Sequence, residues 1–436
     1  MSATVVLILA IIVLFALLAV RVPIAIALIS VSVVGIVLVR GLRPAMQIFA
    51  QEPFSFVSSW TLSAIPLFIF MGTLVHSTGL SAALFRASRL WLSRLPGGLA
   101  VAANFACAGF SAASGSSVST AAAMGRIAIP EMLRHGYQPG LATAVVASAG
   151  TLGSLIPPSI IFILYGIFAG VSINKLFLAG ILPGLLTAGL YAVMIMIRCA
   201  ISPNLAPVVV DDVTWRERFT SLIGVLPLIV IIAVVLGGIY GGLFTATEAG
   251  AFGALSVMIT AFLQRRLTFA SLKEALFEAV ISTTKIFFVA IGAVLLTKFL
   301  AITGSGVQLA QLAVAMQDNT LMLLVMMVVI YLILGMFLDP IGILLITLPV
   351  FLPVLKAIDF DLILYGVLVV KFIEIGLLTP PVGLNVFVIK SVVSNDIPVG
   401  AIFKGVAWFL LCETIVVLLL FSFPQISLFL PTTFSG

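Results

Sequence analysis

Charged residues are scarce in this sequence of 436 residues. Asp, Glu, Lys and Arg make up only 8% of the chain, whereas 62% of it is hydrophobic. Soluble domains carry about 25% charged and about 45–50% apolar residues, so this composition excludes a soluble globular protein. Because a bilayer is spanned by ~20 apolar residues, the sequence predicts roughly a dozen helical membrane segments. The longest polar stretch, 198–220, is too short to fold alone.

The sequence also has few residues suited to metal binding or catalysis. Its three cysteines, Cys107, Cys199 and Cys412, are far apart, which argues against a disulfide framework or a metal cage. It has neither an HExxH motif nor a phosphate-binding loop ending in Gly-Lys-Ser or Gly-Lys-Thr, which excludes a zinc peptidase and a self-contained ATPase. Neither of the two histidines has a neighbour that would form a catalytic dyad. We therefore predict no enzyme activity and no cofactor, while a passive channel stays open.

Hydropathy predicts an all-α polytopic membrane protein with about ten crossings. Two further apolar stretches, 99–133 and 321–355, are each long enough for two half-length arms with a polar break between them, and we predict that each is a re-entrant helical hairpin. The predicted crossings are 4–20, 23–39, 62–75, 143–171, 176–197, 222–242, 249–263, 286–302, 362–393 and 405–430.

The net charge of +6 reflects loop orientation rather than a nucleic-acid partner. If both hairpins return to the side they enter from, most basic residues share one face, which the positive-inside rule makes cytoplasmic. Both termini then lie outside. The basic residues of this face are Arg21, Arg86, Arg89, Arg94, Arg134, Arg198, Arg216, Arg218, Arg265, Arg266, Lys273, Lys285 and Lys404.

An internal repeat divides the chain into two halves. A shift of 223 positions pairs Pro130 with Pro353, Gly153 with Gly376, and the double proline at 157–158 with that at 380–381. Each half then has five crossings and one hairpin, and because five is odd, the second copy is inverted. We predict repeats at 1–218 (hairpin 99–133, broken helix 143–171) and 219–436 (hairpin 321–355, broken helix 362–393). Inverted repeats of this kind are typical of secondary transporters.

Polar breaks interrupt four of the apolar segments at symmetric positions. Ser114–Ser117 and Gly153–Ser159 lie in the first half, and Asp339-Pro340 and Gly376–Gly383 lie in the second. Proline frees backbone carbonyls, and lipid cannot solvate them, so these breaks must be buried in protein or face a cavity. Freed carbonyls suit Na⁺ and helix N-termini suit an anion. The shift places Asp339 on Ser116, which predicts a helix cap at each hairpin tip.

With these motifs the chain resembles the large membrane subunit of a tripartite ATP-independent periplasmic (TRAP) transporter. The resemblance runs from the third span to the penultimate one. It rests on Ile65–Ile69, Ser114–Ser117 with Ala121–Ala123, Ile129–Met132, Gly136-Tyr137, Gly150–Gly153, Ile156–Ser159, Thr247–Ala249, Leu338-Asp339 and Ile375–Asn385.

The resemblance implies a Na⁺-coupled importer of an organic acid, in a bacterial inner membrane, with an elevator-type movement. It further implies two partners, a small four-helix membrane subunit and a periplasmic substrate-binding protein. The family's two Na⁺ sites would fall at the symmetric breaks: Ser114, Ser116, Gly153, Ile156 and Pro158 at the first, and Phe337, Asp339, Gly376, Thr379 and Pro381 at the second.

A few polar residues in apolar segments are candidates for substrate binding. Arg126 either binds a substrate carboxylate or is neutralised by Glu131 or by water at the cytoplasmic mouth. Asn385 either bonds substrate or packs between helices. Lys371 and Glu374, three residues apart, are expected to neutralise each other. The stretch 267–282 has helical apolar spacing, which predicts a helix at the membrane interface or a packed loop helix.

Family frequency favours a C4-dicarboxylate or related carboxylate as substrate, with a sialic acid, an ectoine-like compound or a keto acid left open. The main alternative is a stand-alone ion-coupled carboxylate symporter with the same inverted plan, which needs no binding protein. Uptake by this chain alone would favour that alternative.

Overall fold

The computed structural model describes residues 2–207, 214–315, 320–393 and 396–434, and throughout these ranges the regular elements are helices. Two short 3₁₀ turns lie at Trp60–Ser63 and Pro203–Leu205. The α-helices, in chain order, are α1 (Ala3–Ala19), α2 (Ile24–Arg40), α3 (Leu42–Val57), α4 (Ala64–Ser77), α5 (Leu80–Leu92), α6 (Gly98–Ser114), α7 (Ser117–Arg134), α8 (Pro139–Gly150), α9 (Leu152–Leu155), α10 (Ile160–Ala169), α11 (Ile173–Ile201), α12 (Trp215–Tyr240), α13 (Ala246–Leu263), α14 (Phe269–Thr303), α15 (Ser305–Ala315), α16 (Thr320–Gly335), α17 (Pro340–Ala357), α18 (Leu362–Gly376), α19 (Leu384–Val392), α20 (Val399–Ser422) and α21 (Gln425–Phe434).

Within the described residues, eight helical stretches are long and apolar enough to cross a membrane. They are Trp60–Ser77, Pro139–Ala169, Ile173–Ile201, Trp215–Tyr240, Ala246–Leu263, Phe269–Thr303, Pro340–Ala357 and Val399–Ser422. Helices α1 and α2 are apolar but only 17 residues long, and the segment of α18 and α19 is interrupted. The all-α, multi-pass class predicted from the sequence is confirmed, while the number of crossings stays a prediction.

Two helix pairs occupy the positions where hairpins are predicted. Helices α6 and α7 meet at Gly115-Ser116, and α16 and α17 are joined by residues 336–339. The two predicted broken helices also contain breaks, at 156–159 between α9 and α10 and at 377–383 between α18 and α19. The proposed boundary between the repeats, at 218, lies in the first turn of α12.

Two sequence expectations differ from the structure. The last predicted span, 405–430, is divided, because α20 ends at Ser422 and Pro424 precedes a separate helix, α21; proline disfavours continuation of the helix before it. The predicted interface helix, 267–282, is not separate either. It forms the first part of α14, a single helix of 35 residues that also contains the predicted span 286–302.

Small residues allow the interior helices to pack closely. In α8 every residue from Leu141 to Gly150 is buried. A Cβ atom added to Gly405 of α20 would lie 2.3 Å from the carbonyl oxygen of Gly140, so these two backbones touch. Such contacts between small residues are a principal means of helix association in membranes. Large apolar side chains of α1 and α12 are instead exposed, as expected for helices that face lipid.

Candidate functional site

The first hairpin tip is built by a helix end and a helix start. Helix α6 ends at Ser114, and Gly115 continues the chain with a positive φ of 63°, which favours glycine. Ser116 then caps α7, because its hydroxyl accepts a hydrogen bond from the amide of Ser119 at 3.4 Å. The predicted cap at Ser116 is confirmed. The Ser114 hydroxyl lies 2.6 Å from that of Thr120, so two hydroxyl groups face each other behind the tip.

This tip touches the break between α9 and α10. The amide of Ile160 donates a hydrogen bond to the carbonyl of Gly115 at 3.2 Å. A Cβ atom on Gly115 would lie 2.7 Å from the Pro158 carbonyl oxygen, and one on Gly153 would lie 2.5 Å from that of Ser116. The break and the tip therefore bring backbone oxygens and hydroxyl groups close together. The approach is so close that only glycine fits at positions 115 and 153.

Three of the five residues predicted for the first Na⁺ site, Ser116, Gly153 and Pro158, take part in this contact. The Ser114 hydroxyl donates to the Ser116 carbonyl at 3.5 Å within the tip. The fifth, Ile156, lies in the break, and its side chain packs towards Gly184 of α11. The peptide bond between Pro157 and Pro158 is cis, as is that between Pro380 and Pro381 in the second break.

The second tip has the same plan with different side chains. The Asp339 carboxylate caps α17 by accepting a hydrogen bond from the amide of Gly342 at 3.1 Å, which confirms the predicted cap. A Cβ atom on Gly376, where α18 ends, would lie 2.7 Å from the Cα atom of Gly335, where α16 ends. The hydroxyl of Thr379 donates to the Ile375 carbonyl at 2.7 Å.

Helix α19 begins after Gly383, which has a positive φ of 59°. The side chain of Phe337 is exposed. Of the residues predicted for the second Na⁺ site, the described structure thus places Gly376 in the contact between helix ends and Asp339 at the tip, whereas Thr379 and Pro381 lie in the break itself. Within the described ranges, no three His, Cys, Asp or Glu side chains form a metal cluster. A cation here would depend on hydroxyl and backbone oxygens together with Asp339.

The two tips line one cavity of about 750 Å³. Residues 114–119 contribute from the first tip and residues 339–341 from the second. Ser154 and Ile160, on either side of the first break, line it as well, and α14 adds the charged side chains of Glu274, Glu278 and Lys285. None of these three residues is predicted at the cavity from the sequence, because Glu274 and Glu278 belong to the stretch 267–282 predicted at the interface and Lys285 to the predicted cytoplasmic face.

Arg126 points its charge into this cavity. Its side chain is exposed and lines the cavity from the second arm of the first hairpin. Glu131, the alternative partner considered from the sequence, forms an ion pair with Arg89 and a second, at 3.5 Å, with Arg134. In the described part of the chain Arg126 has no ion pair of its own. An organic anion in the cavity would therefore meet a guanidinium group without an ion-pair partner, in a lining that also contains the carboxylates of Glu274, Glu278 and Asp339.

Asn385 lies outside the lining of this cavity. It is fully buried, and its amide nitrogen donates to the Ala147 carbonyl at 3.4 Å, so it links α19 to α8. Its assignment to the substrate stays a prediction, and the contact favours the packing role that the sequence left open.

The expected pairing of Lys371 with Glu374 is wrong. Lys371 forms a buried ion pair with Glu413 of α20 instead, and it also donates to the Thr187 hydroxyl at 3.2 Å. Glu413 accepts a second hydrogen bond from Tyr191. Glu413 is not among the residues predicted from the sequence, although an acidic residue in an apolar span is itself a signal, because a buried charge needs a partner.

Comparisons with known proteins agree on the family. Residues 11–426 match the DctM component of the tripartite ATP-independent periplasmic transporters. The chain is 35% identical to the C4-dicarboxylate TRAP transporter large permease protein DctM of Pseudomonas aeruginosa, over 85% of this chain and 86% of that protein. It is 30% identical to the sialic acid TRAP transporter large permease protein SiaM of Vibrio cholerae, over 95% and 96%.

Among solved structures, the YdaH transporter of Alcanivorax borkumensis superimposes with a TM-score of 0.62 over 89% of this chain and 90% of that chain, at 17% identity. That similarity concerns the fold alone. The family match and the permease relatives confirm the resemblance drawn from the sequence, and with it the expectation that the protein is no enzyme. The chain belongs to the DctM component family of the tripartite ATP-independent periplasmic transporters.

Proposed function

We propose that this protein couples the entry of Na⁺ to the import of an organic acid, and that the substrate occupies the cavity between the two tips. The observation that carries the proposal is the exposed Arg126 in a cavity whose two ends are formed by capped helix starts at Ser116 and Asp339. Helix N-termini and a guanidinium group both favour an anion. A carboxylate is the anion that relatives of this family suggest.

Two Na⁺ ions would bind at the breaks. At the first break, Ser114, Ser116, Gly153, Ile156 and Pro158 would supply hydroxyl and carbonyl oxygens. At the second break the ligands would be Phe337, Asp339, Gly376, Thr379 and Pro381. The close approach of Gly153 to Ser116 and of Gly376 to Gly335 supports this assignment, because it brings helix ends together where backbone oxygens are left without helical partners.

The substrate would be a C4-dicarboxylate or a related carboxylate. The P. aeruginosa relative is named for C4-dicarboxylates and the V. cholerae relative for sialic acid, and both kinds of compound contain a carboxylate. A guanidinium group binds a carboxylate through two parallel hydrogen bonds. We therefore assign to Arg126 the recognition of the carboxylate, the group that these substrates share.

The protein would work in a bacterial inner membrane with a small four-helix membrane subunit and a periplasmic binding protein that delivers the substrate. The hairpin-bearing part would move as an elevator against a scaffold that contains α2, α4 and α14. Helix α14 packs against both α2 and α4, and α4 and α14 line the cavity.

Uptake by proteoliposomes tests the proposal. The chain, its small subunit and the binding protein are reconstituted together, and accumulation of a labelled C4-dicarboxylate is followed with and without an inward Na⁺ gradient. We expect accumulation only with the gradient and only with the binding protein present. Equal accumulation without Na⁺ would contradict the coupling, and equal accumulation without the binding protein would favour a stand-alone symporter.

A further inference from the structure

A second large cavity lies away from the hairpin tips. Its volume is about 970 Å³, and it opens between α5, α12 and the turn before α14. Four arginines line it: Arg86 and Arg89 from α5, Arg216 from α12, and Arg266 from the turn. In the sequence these arginines belong to three separate basic clusters of the predicted cytoplasmic face, and the fold gathers them around one space.

The acidic groups beside this cavity offset only part of its positive charge. Glu217 also lines it, but its carboxylate accepts hydrogen bonds from the amide and the hydroxyl of Thr214, at 2.8 and 2.9 Å, and so caps α12. Glu131 is paired with Arg89. Among the residues that the structure describes, Arg86, Arg216 and Arg266 have no ion pair. Their side chains are exposed, so the cavity carries an unbalanced positive charge.

Aromatic side chains locate the cavity at the membrane surface. Trp91 lies edge-on to Trp215 and to Phe219, with ring centroids 6.4 and 5.7 Å away. The Trp91 indole also donates to the Arg218 carbonyl at 3.2 Å. Tryptophan is enriched where membrane meets water, at the level of lipid head groups. The arginines of the cavity are therefore at the depth of phosphate groups.

An apolar path leads from the cavity along α12. Arg216, Phe219, Ile223, Leu226 and Val230 follow one another at intervals of three and four residues, which places them on one face of the helix. The four apolar residues of this face are each about half exposed or more: Phe219 59%, Ile223 67%, Leu226 53% and Val230 48%. The cavity residues Glu217, Thr220 and Gly224 lie on the neighbouring face of α12, and Arg216 borders both faces. A lipid with its head group in the pocket would therefore lay its acyl chains along this exposed apolar track beside the cavity.

We propose that this cavity, called here the arginine cavity (Arg86, Arg89, Arg216 and Arg266), binds the phosphate head group of an anionic membrane lipid, whose acyl chains lie along α12. Basic pockets between helices on the cytoplasmic side bind such head groups. A free phosphate ion has the same charge, but it would fill only a small part of 970 Å³ and would leave the apolar track uncovered. The bound lipid links α5, α12 and the turn before α14 through one phosphate-bearing group.

Native mass spectrometry of the chain purified with its small membrane subunit tests this proposal. Added cardiolipin or phosphatidylglycerol is expected to bind, whereas phosphatidylcholine is not. The triple variant Arg86→Gln, Arg216→Gln, Arg266→Gln is expected to weaken binding on the order of 100-fold, from about fivefold for each basic residue. The matched control, Arg94→Gln, Arg265→Gln, Lys404→Gln, removes the same charge outside the cavity and is expected to change binding less than about twofold.

Other outcomes would overturn the proposal. An equal loss in both triple variants would mean general attraction to anionic lipid, and no loss in the cavity variant would exclude the site. Glycerol phosphate or inorganic phosphate binding as tightly as the lipid would make the ligand a free phosphate. Lipid binding to the chain alone that is absent from its complex with the small subunit would make this face a protein interface. If the triple variant does not fold, the single variants, each expected to weaken binding about fivefold, decide the question.

Discussion

Ser116 and Asp339 occupy equivalent positions at the two tips, yet only Asp339 carries a charge. Each accepts a hydrogen bond from a backbone amide three residues later and thereby starts a helix in the middle of an apolar stretch. A hydroxyl group can do this, so capping alone does not require a carboxylate. The charge of Asp339 in the lining of the cavity is therefore available for a second role, and cation binding is our proposal for it.

Replacing Asp339 with Asn separates the two roles. Asparagine caps helices as well as aspartate, so α17 should keep its start. The loss of the negative charge should raise the Na⁺ concentration for half-maximal uptake roughly 10- to 100-fold, since a hydrogen bond or contact to a charged group contributes about 1.5–3 kcal/mol. Uptake as a function of Na⁺ concentration measures this change, and an unchanged Na⁺ dependence would remove Asp339 from the site.

Arg126 is the residue on which substrate affinity is expected to depend. Arg126→Gln should raise the KM for the carboxylate roughly 10- to 100-fold, because a charge-assisted pair is lost. The Na⁺ dependence should stay the same. Arg134→Gln serves as the control, since Arg134 lies on the same helix but pairs with Glu131. Equal KM values for the Arg126 variant and the wild type would exclude the contact.

Glycine packing joins the elements of the first site. The contact between α9 and the tip of α6 and α7 depends on Gly153, where an added Cβ atom would meet the Ser116 carbonyl oxygen at 2.5 Å and the Thr120 hydroxyl at 2.7 Å. Both neighbours belong to the tip, and a carbonyl in a helix cap cannot move without disturbing the cap. Helix α9 therefore tolerates no side chain at position 153.

Gly153→Ala should separate the break from the tip. We expect uptake to fall roughly 5- to 150-fold, since overpacking of a close contact costs about 1–3 kcal/mol. The matched control is Gly189→Ala, because Gly189 lies within α11 and its added Cβ atom would have nothing within 4 Å. In a helix interior alanine is favoured over glycine by about 0.5–1 kcal/mol, so this control should be neutral or more stable. Wild-type uptake in the Gly153 variant, measured beside the control, would contradict the assignment.

Local chemistry explains which elements could be predicted from the sequence. The caps at Ser116 and Asp339 and the breaks at the double prolines depend on neighbours in the chain, so residue type and spacing were sufficient. The pair of Lys371 with Glu413 joins residues 42 positions apart on two helices, and nothing local distinguishes Glu413 from Glu374 as the partner. The place of Glu274 in the cavity was missed for the same reason, because it depends on how the whole of α14 packs.

At the scale of the whole molecule, the orientation rests on the distribution of basic residues. Arginines of three sequence clusters line a single cavity, which supports placing those clusters on one face. The predicted inverted arrangement of the halves would then put Arg265 on the cytoplasmic side and Lys356 on the opposite side.

Thiol labelling in intact cells checks this orientation. The native cysteines, Cys107, Cys199 and Cys412, are all buried and should stay unlabelled. A membrane-impermeant maleimide added outside should label Lys356→Cys but not Arg265→Cys, and permeabilisation should expose the second site. Labelling of both positions from outside, or of Arg265→Cys alone, would contradict the inverted arrangement.

The length of α14 relates the protein to the thickness of its membrane. Its 35 residues extend about 52 Å, whereas the hydrocarbon layer is about 30 Å thick. Even at the largest usual tilt, about 40°, a helix of this length does not fit within the hydrocarbon layer, so one of its ends lies in the head-group region. Since α14 lines the cavity at Glu274 and Glu278 and contacts α2 at Gly292, a thinner or thicker bilayer would shift the depth of the cavity wall. Transport rate should then vary with lipid chain length, because the position of one long helix depends on the thickness of the bilayer.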